Sequence, residues 1–339
     1  MAPMSRTVTA PPPEVAALAR ALPDSLPPDV LFGIGGGTGF GRFVYGEIVT
    51  LLTRITTRET AREGFLASIC RSLQVRFRLQ VAASPNALRD RLAAELAQER
   101  IPIVWVEPDR LPWAGPPAAY HAVAVLALDG DATVFDGQER TLPVEALLDA
   151  SATSGARHRT LVVEGAHGEV GSAVRAGLSA HREQMREGFG PPQTRGRFGL
   201  GGIARWTVDV AGDAVRGPAL ADQIELRGGG PAMREAQSAF LAYAGHERAA
   251  AAASSAATRW GELAAALRGG YPGPDQVRAV HDAEAEALTA VEAALRGAGA
   301  TLLRPPAPPR AGEGWRRPCA AATRGPTRSA PCTTRRPRR

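Results

Sequence analysis

The sequence contains no lysine, so all 40 basic residues among its 339 positions are arginines. A P-loop, a Schiff base to pyridoxal phosphate and the strand lysine of a protein kinase each need a lysine ammonium group. These three kinds of site are therefore excluded. Asparagine is almost absent as well, because Asn86 is the only one. This preference for arginine and alanine is typical of GC-rich coding.

Cysteine and long apolar runs are also scarce. The three cysteines, Cys70, Cys319 and Cys332, form no CxxC pair and are odd in number, which argues against a disulfide framework and a structural zinc site. No apolar run approaches the roughly 18 residues that a membrane helix needs. The segment 1–22 lacks the apolar core of a signal peptide. We therefore expect a cytoplasmic protein with no membrane partner, no metal and no cofactor.

The net charge of +6 and the isoelectric point of about 10.0 arise from the C-terminal segment. Residues 304–339 hold ten arginines against one acidic residue, Glu313, and the rest of the chain holds 30 arginines and 33 acidic residues. Duplex recognition needs a basic stripe on the folded body, but here the body has a net charge of −3. The charge distribution therefore argues against a nucleic-acid partner.

The composition divides the chain into four segments. Residues 1–13 and 304–339 are rich in proline, threonine, alanine and arginine without apolar periodicity, so we expect both to be disordered. Residues 14–155 alternate helical and extended patterns, whereas residues 156–303 show mainly helical ones. Small polar residues interrupt the pattern near the boundary between these two predicted domains. The expected fold class is α+β, with a mixed domain followed by a mostly helical one.

Individual elements follow from apolar spacing and from capping residues. Ser84 is a typical N-cap and Pro85 a typical first helical residue, so a helix is predicted to begin there. The glycines between Leu31 and Gly41 predict a loop. The other predicted elements are helices at Glu14–Leu22 and Thr60–Leu73, strands at Val75–Val81 and Ile101–Val106, and helices with apolar stripes at 170–185 and 277–295.

The segment from His121 to Asp136 carries the most informative pattern. Alternating apolar residues meet at Asp129 and Gly130, a strong signal for a two-residue hairpin turn. Such a turn places Asp136 opposite Val123, and residues two apart on a strand share a face, so His121 and Asp136 become diagonal neighbours. An imidazole oriented by a carboxylate is what a cysteine or serine nucleophile needs. The alternative is an ordinary hairpin that carries a histidine and a turn-adjacent aspartate.

A glycine-rich loop lies upstream, with glycine at five of the seven positions from 33 to 39. Its backbone can approach another group closely or present amides to an anion. Gly35, Gly36 and Gly37 are therefore candidate substrate-binding residues. The loop does not contain the dinucleotide fingerprint GxGxxG. The alternative is a turn that packs under a neighbouring strand.

Cys70 lies in an apolar helical segment, at 64–73. A cysteine on an apolar helix face is usually buried and inert, so Cys70 is not the expected nucleophile. The remaining histidines show neither the HExxH spacing nor another i, i+4 pair of the metal-ligand type. His181 falls on an apolar helix stripe, which predicts half-buried packing.

Several motifs resemble one family when they are taken in order. The segments LFGIGGGTGF at 31–40, DRLPW at 109–113, YHAVAVLALDG at 120–130 and VFDG at 134–137 resemble the N-terminal domain of the butirosin biosynthesis protein H family. Three later segments resemble the uncharacterised domain that usually follows it. Those later segments are GRFGLGGIARW at 196–206, IELRGGGPAMREAQSAFLAYAG at 224–245 and ATRWGELAAAL at 257–267.

The resemblance implies a papain-like fold and an acyltransferase activity. The founding member of the family moves an aminoacyl group from a carrier-protein thioester to an aminoglycoside amine, and other members belong to peptide and polyketide natural-product pathways. Carried over to this chain, His121 takes the role of the base and Asp136 that of its orienting partner. Trp113, at the end of the second motif, becomes a further candidate for substrate binding. The implied partners are an acyl-carrier protein and a small-molecule or peptide acyl acceptor.

The nucleophile of the family has no counterpart in this sequence. In the family a His-Cys pair opens a helix roughly twenty residues before the LFG segment, and that position falls here near Ala10 and Pro11. Thr7 and Thr9 are the only nearby hydroxyls. We therefore expect an acyltransferase-like chain that is inactive as written, with a shifted frame or a wrong start as the hypothesis for its altered ends. The alternative is a noncatalytic protein that binds a carrier protein or a peptide intermediate.

Overall fold

Short helices alternate with strands in the first half of the chain, and long helices make up the second half. We describe a computed structural model over residues 13–24, 26–45, 48–52, 64–113, 121–153, 156–186, 197–209, 217–227, 230–270 and 272–297. All of these residues belong to one compact unit, residues 1–305. Among them, no helix is long and apolar enough to cross a membrane.

The helices have the following bounds: α1 Pro13–Ala21, α2 Pro28–Ile34, α3 Phe65–Ser72, α4 Pro85–Leu96, α5 Val144–Ser151, α6 Val170–Arg186, α7 Gly199–Asp209, α8 Gly217–Asp222, α9 Gly230–Tyr243, α10 Glu247–Arg268 and α11 Pro274–Gly297. The strands are β1 Gly41–Tyr45, β2 Ile48–Leu52, β3 Phe77–Val81, β4 Pro102–Val106, β5 His121–Asp129, β6 Asp131–Phe135, β7 Glu139–Pro143 and β8 Arg159–Val163.

Six of the strands form one antiparallel sheet in the order β3-β8-β4-β5-β6-β7, and β1 and β2 form a separate hairpin. This combination of an antiparallel sheet with many helices confirms the α+β class predicted from the sequence. Strand β8 lies beyond the predicted domain boundary at 155/156, yet it is an interior strand of the sheet, between β3 and β4. Leu31 and Phe240, one from each predicted domain, also share one apolar cluster.

One face of the sheet packs against α1 and α3. Trp105 of β4 and Ala122 and Ala124 of β5 belong to the same buried cluster as Leu18 of α1 and Cys70 of α3. The two alanines lie side by side on this face because residues two apart on a strand point the same way. Their small side chains let α1 pack closely against β5, so this face forms the larger apolar core.

The other face of the sheet packs against α4 and α5. Val123 and Val125 of β5 belong to a second buried cluster, with Leu88 and Leu92 of α4 and Leu147 of α5. The four-residue spacing of the two leucines predicted this face of α4. The predicted cap is confirmed as well, because the Ser84 hydroxyl accepts a hydrogen bond of 3.2 Å from the Ala87 backbone N–H.

The predicted loop between Leu31 and Gly41 is wrong over its first part, because α2 continues to Ile34. Pro28 is its first residue, and a proline there supplies a helical φ without losing a needed N–H. Gly33 lies within this helix because α9 approaches closely. A Cβ built on Gly33 would lie 1.9 Å from Cγ of Phe240. Gly33 therefore allows α2 and α9 to pack closely, and it does not end the helix.

Other predicted bounds differ by a few residues. Helix α1 begins at Pro13, which the sequence assigned to a disordered segment. Helix α3 begins at Phe65, and the first part of its predicted range, residues 60–63, lies outside the described residues. Strand β3 begins at Phe77 rather than Val75. The apolar stripes predicted in the second half are confirmed as the buried faces of α6 and α11. The predicted disordered ends, apart from Pro13, fall outside the described residues.

Candidate functional site

The predicted pairing of His121 with Asp136 depends on the β5–β6 hairpin, whose turn differs from the prediction. Asp129 and Asp131 are direct partners, so the turn centres on Gly130, which has a φ of 79°. The predicted two-residue turn at Asp129 and Gly130 is therefore wrong. Taken alone, this tighter turn would place His121 and Asp136 on opposite faces, because a shift of one residue inverts every side chain.

A β-bulge further along the hairpin reverses that inversion. The register shifts by one residue between Val125 and Ala127, and Ala124 then pairs with Phe135 as the sequence predicted. An extra residue in one strand shifts the pairing of every residue beyond it. The bulge and the tighter turn thus offset each other, and His121 and Asp136 share one face of the sheet.

The two side chains form the predicted hydrogen bond. Nε2 of His121 lies 2.5 Å from Oδ1 of Asp136, and the two side chains are only 12% and 10% exposed. A carboxylate can only accept, so the contact places the ring proton on Nε2. This orientation fixes the imidazole plane and leaves the lone pair of the neutral ring on Nδ1.

Trp113 contacts the same carboxylate from the other side. Its indole Nε1–H donates to Oδ2 of Asp136 at 2.5 Å. The guanidinium carbon of Arg140, on β7, lies 5.0 Å from the centre of the Trp113 ring. The sequence assigned Trp113 to substrate binding and did not single out Arg140, because cross-strand contacts of a loop tryptophan leave no pattern along the chain.

The surroundings of Asp136 favour its ionised form. Burial by itself would raise the pKa of this carboxyl. The hydrogen bonds from His121 and Trp113 and the charges of His121 and Arg140 outweigh burial, so the pKa of Asp136 lies below its usual range. Asp136 is therefore a carboxylate at neutral pH, which is the form that can orient a histidine.

Cys70 is buried, as predicted, and is separated from this pair by the sheet. Burial raises the pKa of its thiol to about 12, which suppresses the reactive thiolate. Cys70 packs in the cluster that contains Ala122 and Ala124, whereas His121 alternates with them and lies opposite Val106, a residue of the other cluster. Cys70 and His121 therefore lie on opposite faces of the sheet.

The glycines that were candidates for substrate binding pack against helices of the chain itself. A Cβ on Gly35 would lie 2.7 Å from the Phe65 ring of α3, and one on Gly37 would lie 1.7 Å from Oε1 of Gln237 of α9. Gly36 similarly faces α6. Gly36 and Gly37 have φ values of 97° and 64°, which L side chains rarely adopt. These contacts correspond to the packed turn that the sequence left as the alternative, although the neighbours are helices and not a strand.

A buried ion pair anchors this glycine turn, and the sequence did not predict it. Nε of Arg234 donates to Oε1 of Glu284 at 2.6 Å, and Nη2 of Arg234 donates to the Gly39 carbonyl at 3.1 Å. Trp260 Nε1–H donates to the same Glu284 oxygen at 2.6 Å. Arg234 and Glu284 are only 1% and 2% exposed. The three long-range contacts connect α9, α10 and α11 to the turn.

His181 and His158 contact groups of the chain itself. His181 is more deeply buried than predicted, at 3% exposure, and its Nδ1 lies 3.3 Å from the Thr38 carbonyl. His158 Nδ1 lies 2.9 Å from the Ser151 hydroxyl. Over the ranges that the structure describes, no three His, Cys, Asp or Glu side chains are grouped so that they could hold a metal ion.

The fold and the site define an α+β protein whose antiparallel sheet carries a histidine oriented by a carboxylate. Residues 15–137 match the family described as Butirosin biosynthesis protein H, N-terminal, as predicted. The matched family implies a biosynthesis-related protein. The matched segment contains Trp113, His121 and Asp136 and ends at Gly137. No curated protein matches the chain. The resemblance of the second half to the following domain stays a prediction.

Proposed function

We propose that His121 and Asp136 are the base and the orienting acid of a papain-like acyl-transfer site that acts on carrier-bound acyl thioesters. The observation that supports this proposal is the contact of 2.5 Å between Nε2 of His121 and Oδ1 of Asp136, within the matched domain. Asp136 is ionised and mostly buried, so the imidazole has one preferred orientation. A cytoplasmic natural-product pathway is the expected setting.

In an intact site, Nδ1 of His121 would take the proton of a cysteine thiol as its sulfur bonds to the thioester carbonyl carbon. The bond from that carbon to the carrier sulfur then breaks, and the imidazolium returns the proton to the carrier thiol. An acceptor amine next attacks the enzyme thioester and gives a proton to His121. The amide forms as the cysteine sulfur leaves and recovers that proton, so the sum is acyl transfer from thiol to amine.

The chain as written should not complete this cycle. Cys70 lies on the other face of the sheet from His121 and its pKa is raised to about 12. The positions that correspond to the family's His-Cys pair hold Ala10 and Pro11, which lie outside the described residues. We therefore propose that the site derives from an acyl-transfer enzyme and that the chain with this sequence is inactive.

A noncatalytic binding function is the second candidate, and the position of α1 favours it. In the family the nucleophile precedes this helix, but here α1 packs on the face of Ala122 and Ala124, opposite to His121. In this alternative the same fold holds a carrier protein or a peptide intermediate without chemistry.

Acylation of purified protein by an acyl-carrier thioester, followed by intact-protein mass spectrometry, separates these functions. The unaltered chain should show no adduct. The variant with Ala10→His and Pro11→Cys should gain an acyl group on the introduced cysteine, and His121→Ala in that background should slow the gain at least about 100-fold. The Cys70→Ala change in the same background is the matched control and should have no effect.

Two results would contradict the acyl-transfer proposal. Acylation of the unaltered chain at Cys70 would move the reactive site to α3. An introduced cysteine that reacts equally fast with and without His121 would show that the histidine takes no part. If the introduced cysteine does not react but the carrier protein still binds, the noncatalytic function is the correct one.

A further inference from the structure

We propose that Trp113 is a positioning residue, which holds the Asp136 carboxylate in the orientation that serves His121, instead of a residue that contacts substrate. This inference concerns the site of the proposed function and rests on that function for its catalytic meaning. The contacts themselves are properties of the folded chain.

Each oxygen of Asp136 has its own aromatic N–H donor. Oδ1 lies 2.5 Å from Nε2 of His121, and Oδ2 accepts the indole N–H of Trp113 at the same distance. With both oxygens held, the carboxylate cannot rotate without breaking a bond. Hydrogen bonds to an ionised acceptor are roughly twice as strong as neutral ones, so the pair of donors fixes the rotamer of Asp136.

The indole of Trp113 can act only as a hydrogen-bond donor to Asp136. An indole N–H can donate but cannot accept, so Trp113 stabilises the charged carboxylate and cannot replace His121 as a proton acceptor. Because this donor is directed at Asp136, it is not directed at a substrate. The geometry thus gives Trp113 a role different from the substrate contact that the sequence suggested.

Arg140 lies over the ring of the same indole. The register pairs Arg140 of β7 with Val134 of β6, two residues before Asp136, so Arg140 and Asp136 lie on the same sheet face. The guanidinium carbon lies 5.0 Å from the ring centre of Trp113, a geometry typical of a cation–π contact. Trp113 therefore contacts both the acid to which it donates and a cation that also favours the ionised form of that acid.

The test is a carboxyl NMR titration of Asp136 in the unaltered chain and in Trp113→Phe. Phenylalanine keeps an aromatic ring beneath Arg140 but removes the N–H donor. We expect the titration midpoint of Asp136 to rise by about one pH unit, a tenfold change in proton affinity, because a hydrogen bond to the charged form is lost. A merely structural tryptophan would not shift this midpoint.

Trp105→Phe is the matched control. Trp105 is likewise a tryptophan near an arginine, with the guanidinium carbon of Arg159 5.6 Å from its ring centre, but it lies on the other face of the sheet. Its replacement should leave the Asp136 midpoint unchanged. An equal shift in both variants would show general loosening and overturn the inference, as would an unchanged midpoint in folded Trp113→Phe.

A second measurement keeps the inference testable if Trp113→Phe does not fold. In the unaltered chain the indole N–H resonance of Trp113 should move with pH at the Asp136 midpoint, and the resonance of Trp105 should not. An indole signal of Trp113 that is insensitive to this titration would overturn the inference. Neither measurement needs a nucleophile. If the introduced cysteine is not acylated but the Asp136 midpoint shifts in Trp113→Phe, only the proposed function is rejected. If the cysteine is acylated but the midpoint does not shift, only the inference about Trp113 is rejected.

Discussion

The aromatic ring of Phe240 occupies the space that a side chain on Gly33 would require. A Cβ at this position would lie 1.9 Å from Cγ of the ring, far inside contact distance. The contact joins α2, within the matched family domain, to α9 in the second half of the chain. The glycine at position 33 of this helix is thus required by the ring of Phe240, a residue distant in sequence.

Replacement of Gly33 by alanine should therefore destabilise the protein, in contrast to the usual gain in a helix. We expect the free energy of unfolding in urea to fall by about 1 to 3 kcal/mol, the range for overpacked cores. Phe240→Ala alone should cost about 3 to 5 kcal/mol through its cavity. The double variant should lose clearly less than the sum of the two, and additive losses would show that the two residues do not meet.

Removal of one partner of the buried ion pair should be more damaging than removal of both. Glu284→Ala leaves the Arg234 guanidinium buried without its carboxylate, and such uncompensated charges cost about 3 to 5 kcal/mol. The double variant Arg234→Met with Glu284→Leu should recover most of this loss in a urea titration. Arg259→Ala, which breaks an exposed pair with Glu262, should change stability by less than about 1 kcal/mol.

Acid should destabilise the protein partly through Asp136. Its folded pKa is lowered, so its contribution is present above the unfolded pKa of about 3.9 and is lost as the pH falls through the folded value. Asp136→Asn should therefore be less stable at pH 7, and the difference from the unaltered chain should shrink below about pH 4. Leu142→Ala, which removes no carboxylate, should keep its difference across the same range. A constant difference for Asp136→Asn would contradict the assigned pKa direction.

Gly261 offers the opposite test to Gly33. It lies within α10, and a Cβ there would meet only Cγ of Pro231 at 3.9 Å, an ordinary contact. Alanine is favoured over glycine inside helices by about 0.5 to 1 kcal/mol. Gly261→Ala should therefore raise the melting temperature by a few degrees in a calorimetric scan, and a decrease would mean that α10 is more tightly packed at this point than the structure shows.

The sequence predicted those elements that depend on interactions between residues close together in the chain. The Ser84 cap, the leucine spacing of α4 and the apolar stripe of α6 each depend on neighbours within one helix, and each is confirmed. The glycine segment was misassigned because the reason for Gly33 lies in α9. Likewise, nothing near Arg234 in the sequence indicates that Glu284 is its partner, since such pairs are set by tertiary packing.

The contact between His121 and Asp136 was predicted correctly, although the turn from which it was predicted was wrong. The sequence supported a two-residue turn, but the turn is tighter, and the bulge that offsets it has no signal in an alternating apolar strand. His121 and Asp136 meet because the two departures cancel. Trp113 could be singled out from its motif, but its bond to Asp136 required the path of the chain between β4 and β5.

The extra residue in β5 has a consequence for the evolution of this hairpin. In a regular ladder, insertions or deletions between a histidine and its carboxylate must occur in pairs, because a single one moves one partner to the opposite face. Leu126, between Val125 and Ala127, stands outside the paired register, so its deletion would leave a regular ladder with both partners still on one face. Relatives with one residue fewer between the two can thus retain the pair. A search pattern that fixes the spacing found in this chain would reject them.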